Sequence, residues 1–155
     1  MELARNLKVE CVSRLGPTPP LCLGPDDTVG RAVALMRQHR VGCVLVCGDG
    51  RLLGLFTERD LLRRVLAPGR PLGGPLVECM TPAPVTVSPA EPITAAVRRM
   101  EEGGYRHLPV VDAAGRPVGV LSVKKIVHYL VEHFPSTIYC LPPDPDVFPA
   151  RTEGP

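Results

Sequence analysis

The amino-acid sequence predicts an α/β (α+β) protein made of two tandem β-α-β-β-α repeats related by a pseudo-two-fold axis. Three observations carry this expectation. The chain repeats itself internally, the sequence mark of repeat architectures. Within each copy, apolar residues at helical spacing alternate with short continuous apolar runs. The composition, with no Trp, 4% aromatic and 45% hydrophobic residues, suggests a core of Val, Leu and Ala suited to helices layered on sheets. A chain of 155 residues is long enough to hide about 70% of its unfolded surface.

The repetition is visible in paired segments. Val9-Glu10-Cys11-Val12-Ser13 matches Val77-Glu78-Cys79-Met80-Thr81 at an offset of 68. Gly24 through Met36 matches Ser88 through Met100 at 64, and Val44-Leu45-Val46-Cys47 matches Leu108-Pro109-Val110-Val111 at the same offset. Gly54-Leu55-Phe56-Thr57 meets Gly119-Val120-Leu121-Ser122 at 65. The offsets drift in Pro/Gly-rich loops, where length changes are tolerated.

The elements follow in order. Over 28–39, apolar Val29, Val33, Leu35 and Met36 mark an amphipathic helix, with Asp26 and Asp27 available as caps. The run 43–47 reads as a strand buried on both faces. Gly48-Asp49-Gly50 is a turn, 52–56 the next strand, and 58–66 a helix stopped by Ala67-Pro68-Gly69. The second copy predicts strands over 85–87, 107–111 and 118–121, with helices over 92–102 and 124–133. These place the first repeat at 7–68, a linker at 69–75, the second repeat at 76–134 and a Pro-rich tail at 135–155. Pro135, Pro142, Pro143, Pro145 and Pro149 exclude a continuing helix and predict an extended tail. Leu141, Val147 and Phe148 give that tail some apolar anchoring.

Charge and cysteine usage narrow the function. The net charge is +2, from 18 basic and 16 acidic residues that are mostly intermixed, with Arg63-Arg64 the clearest basic cluster. Nucleic-acid binding needs a concentrated positive face, which argues against it. Cysteines 11, 22, 43, 47, 79 and 140 form no CxxC pair and no zinc spacing. They read as buried thiols packing as small hydrophobes in a reducing cytoplasm. The segment MELARNLKVECVSRL reads as neither a signal peptide nor a membrane span. His128 and Glu132, four apart, are two ligands short of a metal site. Tyr129 and His133 fit a helix face equally well. No catalytic constellation is evident: Gly103-Gly104 precedes a strand and does not open a phosphate-binding helix. The chain is therefore read as no enzyme, with no catalytic cofactor and no metal.

The segment Gly54-Leu55-Phe56-Thr57-Glu58-Arg59-Asp60 runs a strand directly into a helix. Such a junction offers free N–H groups and the positive end of a helix dipole. A carboxylate there has two acceptor oxygens for the paired hydroxyls of a ribose. Thr57-x-x-Asp60 is equally a capping-box pattern, in which both residues serve only the helix.

GLFTERDLL, with YRHLPVVD before GVLSV in the second copy, resembles the G-h-x-[ST]-x-x-D signature of CBS (cystathionine-β-synthase) domains, paired as a Bateman module. The resemblance covers about 7–134. It implies that Asp60 holds ribose, with Thr57 and the backbone near Leu55 assisting. It implies adenine in an apolar slot near Val41, Gly42, Thr81 and Val85, and phosphates near Arg106 and His107. For Arg106 a solvated surface arginine, and for His107 a strand-edge residue, are the alternatives. The second copy departs from the signature, with Lys125 where the first has Asp60. An ammonium accepts no hydrogen bond, so one good adenosine site per chain is expected, with Lys125 left to neutralise phosphate or bind nothing. The implied function is regulatory sensing of AMP, ADP, ATP or a related adenosyl compound by a flat homodimer that controls another protein. A ligand-free dimerisation scaffold is the alternative.

Overall fold

Local chemistry sets each helix start. The Thr28 hydroxyl accepts the Arg31 N–H at 3.1 Å and opens α1, Val29–His39. Arg40 ends it in the left-handed conformation at φ 53°. Strands β1 (Cys43–Gly48) and β2 (Arg51–Thr57) form an antiparallel hairpin, bulged between Val46 and Cys47. Thr57 then caps α2 (Glu58–Asp60), which widens into a π-helical turn over Leu61–Leu66. The second repeat gives α3 (Ile93–Gly103), β3 (His107–Val111), β4 (Pro117–Ser122) and α4 (Val123–His133), whose N-cap is Ser122. The computed structural model of the chain describes residues 2–139.

The predicted α/β repeat pair is the observed architecture. The first sheet has four strands: Cys22–Leu23 runs parallel to β1, then β2, then Thr81–Pro82 antiparallel to β2. The second sheet repeats this plan in reduced form. Its β3–β4 pair is flanked by single bridges, Val87 parallel to Val110 and Thr18 antiparallel to Val120.

Three expectations are corrected. The strand over 85–87 shrinks to the bridge at Val87, because Pro82, Pro84 and Pro89 around it have no N–H to extend a ladder. The register of the first matched segment is 64, not 68. Val12 N–H donates to Glu91 O and Ile93 N–H to Glu10 O, as Leu76 N–H donates to Asp27 O and Val29 N–H to Gly74 O. Hydrogen bonding thus pairs Val12 with Leu76, whatever the Val-Glu-Cys identity suggests. Finally, the tail begins as a short helix, Pro135–Tyr139, with no extended chain there. Proline is favoured at a first helical position, where its missing N–H has no intrahelical partner. The tail residues 140–155, with Leu141, Val147 and Phe148, lie outside the described residues.

The cores cross the chain order. One cluster joins Val12 and Leu15 to Val87, Ile93, Leu108, Leu121 and Tyr129. The other joins Leu23, Val29, Val44 and Phe56 to Leu76, Cys79 and Met80. Two short 3₁₀ turns, Val12–Leu15 and Leu76–Glu78, therefore each plug the other repeat's core. An N-terminal helix, Glu2–Val9, precedes the first turn, and Leu7 packs against the second repeat's cluster. Between the sheets lies a third cluster of Cys43, Leu45 and Leu55, with Val120 packed against it. Cys43 and Cys79 are buried thiols as expected, but Cys22, paired with Leu45 on its edge strand, is exposed.

Candidate functional site

The geometry that the two signatures share begins with glycine. A Cβ on Gly54 would collide with the Met80 sulfur and stand 3.0 Å from Thr81 O; one on Gly119 would stand 2.8 Å from Pro17 Cβ and 3.3 Å from Thr18 O. Each glycine thus lets the segment that opens the other repeat lie directly on its strand. That approach brings Thr81 beside Leu55, its strand partner, and over the start of α2.

There Asp60 becomes the centre of a closed network. Thr57 N–H donates to Asp60 Oδ2 at 3.0 Å, and the Thr57 hydroxyl lies 3.0 Å from the same oxygen while accepting the Asp60 N–H at 3.2 Å. Thr81 Oγ1 donates to Asp60 Oδ1 at 3.2 Å, and Arg64 Nε stands 3.4 Å from that oxygen. Arg64 also donates to Met80 O at 2.6 Å. Among the described residues Asp60 is the one buried charged side chain, 7% exposed. Burying a carboxylate is costly unless it is paired and hydrogen-bonded, and here it is both. The capping box foreseen as an alternative is present. At the mirror junction the Ser122 hydroxyl accepts the Lys125 N–H at 3.2 Å, with no acidic counterpart of Asp60.

Two adjoining cavities, about 630 and 690 Å³, open between the repeats, within the usual range for small-molecule sites. Both are bordered by Arg40, Val41, Gly42, His107, Ser122 and Lys124. Arg37, Glu58, Leu61 and Arg106 belong to the first, and Thr18, Pro19, Leu21, Lys125 and His128 to the second.

The nine residues singled out from sequence fall into two groups. Val41, Gly42, Arg106 and His107 line the cavities. Leu55, Thr57, Asp60 and Thr81 form the junction network and are not on those walls. Val85 follows in the loop, exposed. At the offset of 64, Val41-Gly42, beside Ser122 and Lys125, correspond to Tyr105-Arg106. Arg59 Nη1 donates to Gly104 O at 3.1 Å, so that chain segment does approach the Asp60 helix. Arg40, Lys124 and Thr18 were not singled out from sequence. Thr18 answers to Thr81 only through its bridge to Val120, as Thr81 pairs with Leu55, and Arg40 and Lys124 meet only in three dimensions.

Burial holds the His107 imidazole below its ordinary value, with Glu58 opposing and Arg106 reinforcing, so His107 is neutral at pH 7. Burial, with the Glu58 charge, pushes the Cys43 thiol up to about 12, leaving it protonated and unreactive. His128 Nε2 and Glu132 form an exposed pair at 3.8 Å. No helix among the described residues is long and apolar enough to cross a membrane.

Two pseudosymmetric α/β repeats with a cleft between them define a paired-repeat module. A CBS-domain model matches residues 12–67 and again 76–132, and the chain belongs to the CBS-domain family. It is 36% identical over 115 residues to the CBS domain-containing protein CBSCBSPB1 of Arabidopsis thaliana, covering 74% of this chain but 21% of that protein. Among solved structures it resembles the CBS domain protein PAE2072 of Pyrobaculum aerophilum complexed with AMP (TM-score 0.71, 28% identity, 79% of this chain and 99% of that one). It also resembles CBSX2 in complex with AMP (TM-score 0.67, 26% identity, 79% and 96%).

Proposed function

We propose that this chain is a regulatory module that binds an adenine nucleotide or related adenosyl compound, one molecule per chain, at the Asp60 junction. The observation that carries this reading is the buried Asp60 carboxylate, tied to Thr57 and Thr81 at a strand-to-helix turn. Two relatives of similar fold hold AMP, which supports the same ligand class here. The Thr57 N–H pins Oδ2, while Oδ1 carries the longer contacts from Thr81 and Arg64. The ribose hydroxyls replace those longer contacts. Adenine then lies against Val85 and Tyr105, and the phosphates point to Arg106 and His107 at the cleft. The module acts in the cytoplasm as a homodimer of four repeats and has no catalytic role. Ligand-induced stiffening of the cleft is what a regulated protein reads.

The test is calorimetric titration of AMP, ADP and ATP into the wild type and Asp60→Asn. The wild type should bind at least one of the three, and the variant far more weakly. Ligand at 100 times its dissociation constant should add about 2.7 kcal/mol of stability. If none of the three changes the melting temperature, the ligand-free scaffold reading replaces this one.

A further inference from the structure

Two cysteines that lie far apart in sequence meet on the first sheet. The edge strand Cys22–Leu23 runs parallel to β1, with Cys22 opposite Leu45 and Leu23 opposite Val46. Residues two apart on a strand share a face, so Cys47 lies on the face of Leu45, diagonally across from Cys22. There it packs against the cluster of Cys43, Leu45 and Leu55. It sits beside the irregularity between Val46 and Cys47 in the pairing with β2, the kind of bulge that re-aims a side chain. The two thiols are in hydrogen-bonding contact. Both are free, Cys22 exposed and Cys47 half-buried. Burial first, then the hydrogen bond and the charge of Cys22, push the Cys47 thiol up to about 12. At the offset of 64 the second repeat has Thr86 and Val111 in their places, so the repeat fold itself does not require the pair.

We propose that Cys22 and Cys47 are a redox-responsive dithiol, which a peroxide converts to an intramolecular disulfide that clasps the edge strand to β1. Cys22, the exposed partner, attacks one oxygen of hydrogen peroxide. The O–O bond breaks, the other oxygen takes up a proton and leaves as water, and Cys22 becomes a sulfenic acid. The Cys47 sulfur then attacks the Cys22 sulfur. The S–S bond forms, the S–O bond breaks, and the hydroxyl leaves with the Cys47 proton as a second water. The two thiols lose two electrons and one peroxide is reduced to two waters. A sulfenic acid at Cys22 also removes that residue's charge from beside Cys47, which readies the resolving thiol for its attack. A disulfide brings the two Cβ atoms to about 3.5–4.5 Å. A strand of two residues with β1 as its one sheet neighbour can shift to meet that demand. The clasp fixes Leu21, whose carbonyl accepts the Leu45 N–H at 2.8 Å and which borders the second cavity. In a reducing compartment a disulfide of this kind is transient and serves sensing. The site does not depend on the nucleotide reading.

The test treats the reduced full chain with hydrogen peroxide, alkylates the remaining thiols and maps the unreduced peptides by tandem mass spectrometry. The expected main product links Cys22 to Cys47 within one chain, and dithiothreitol restores both thiols. Cys43→Ala, which removes the neighbouring thiol of the same tryptic peptide, and Cys140→Ser should each keep the link. In Cys47→Ser the link should vanish and Cys22 should remain as a sulfenic acid that dimedone traps; Cys47→Ala repeats this arm if the serine variant melts below the wild type. Both thiols still free after peroxide, a main link that joins any other pair, or a disulfide at Cys22 that persists in both Cys47 variants each overturns the proposal.

Discussion

Asp60 is both a helix cap and the proposed ribose acceptor, and two substitutions separate those roles. Asp60→Ala strips the Thr57 N–H of its acceptor, which costs about 1 kcal/mol for a lost cap. It also frees the Thr81 hydroxyl, about 0.5–1.5 kcal/mol. The Arg64 contact adds no more than about 1 kcal/mol, because that guanidinium is 45% exposed. The sum is about 2–3 kcal/mol, or roughly 5–10 °C in melting temperature for a chain of this size. Asp60→Asn keeps a carbonyl oxygen for Thr57 and the same volume, and should cost only about 1 kcal/mol. Nucleotide affinity should behave differently. Both variants lose the charge that strengthens bonds from the ribose hydroxyls, so both should bind about tenfold to a hundredfold more weakly. Urea unfolding and calorimetry on the same three proteins read the two quantities. Wild-type nucleotide affinity in Asp60→Asn would refute the ribose role. Equal instability of the two variants would refute the capping account.

Other expectations concern the surrounding frame. Gly54→Ala forces the Met80 side chain and the Thr81 backbone away from β2, and should destabilise by about 1–3 kcal/mol in a urea melt; wild-type stability would show that the close approach is dispensable. The Glu91 carboxyl is held below its ordinary value, first by the Arg99 hydrogen bonds and also by the Ser88 N–H, against the opposing effect of burial. The stability it contributes is present above about pH 4.5 and lost as acid titrates it in the folded protein, so Glu91→Gln should flatten the acid limb of the stability profile. His107 runs in the neutral range. The folded imidazole resists a proton that the unfolded chain accepts near pH 6.5, so stability should be full above that value and fall as pH drops through it. His107→Gln should remove that slope, and an NMR titration of the wild type giving a value at or above 6.5 would contradict the burial argument.

Much of the fold was legible because periodicity reports burial: of the apolar residues that marked the first long helix, Val29 and Met36 are buried and Val33 and Leu35 partly so, while Ala32, too small to stand out in the pattern, completes the buried face. The Val-Glu-Cys identity misled the register of the first segment, since side-chain identity says nothing about which N–H meets which carbonyl. The signature from Gly54 to Asp60 was readable because a single junction supplies its parts. The cleft was readable only in part: Val41, Gly42, Arg106 and His107 line it as named, whereas Arg40 and Lys124 come from separate elements and no short spacing records their meeting.

The plugs exchanged between repeats have a mechanical consequence. Excising either half removes the turn that seals the hydrophobic interior of the other, so neither fragment should be a self-sufficient folding unit, while co-expressed halves split in the Pro68–Pro75 loop should reassemble only if Leu76–Met80 still reaches its socket. Within the intact chain, the same cross-bracing ties Val12–Leu15 and Leu76–Met80 each into the other repeat's interior, so that neither repeat can loosen alone.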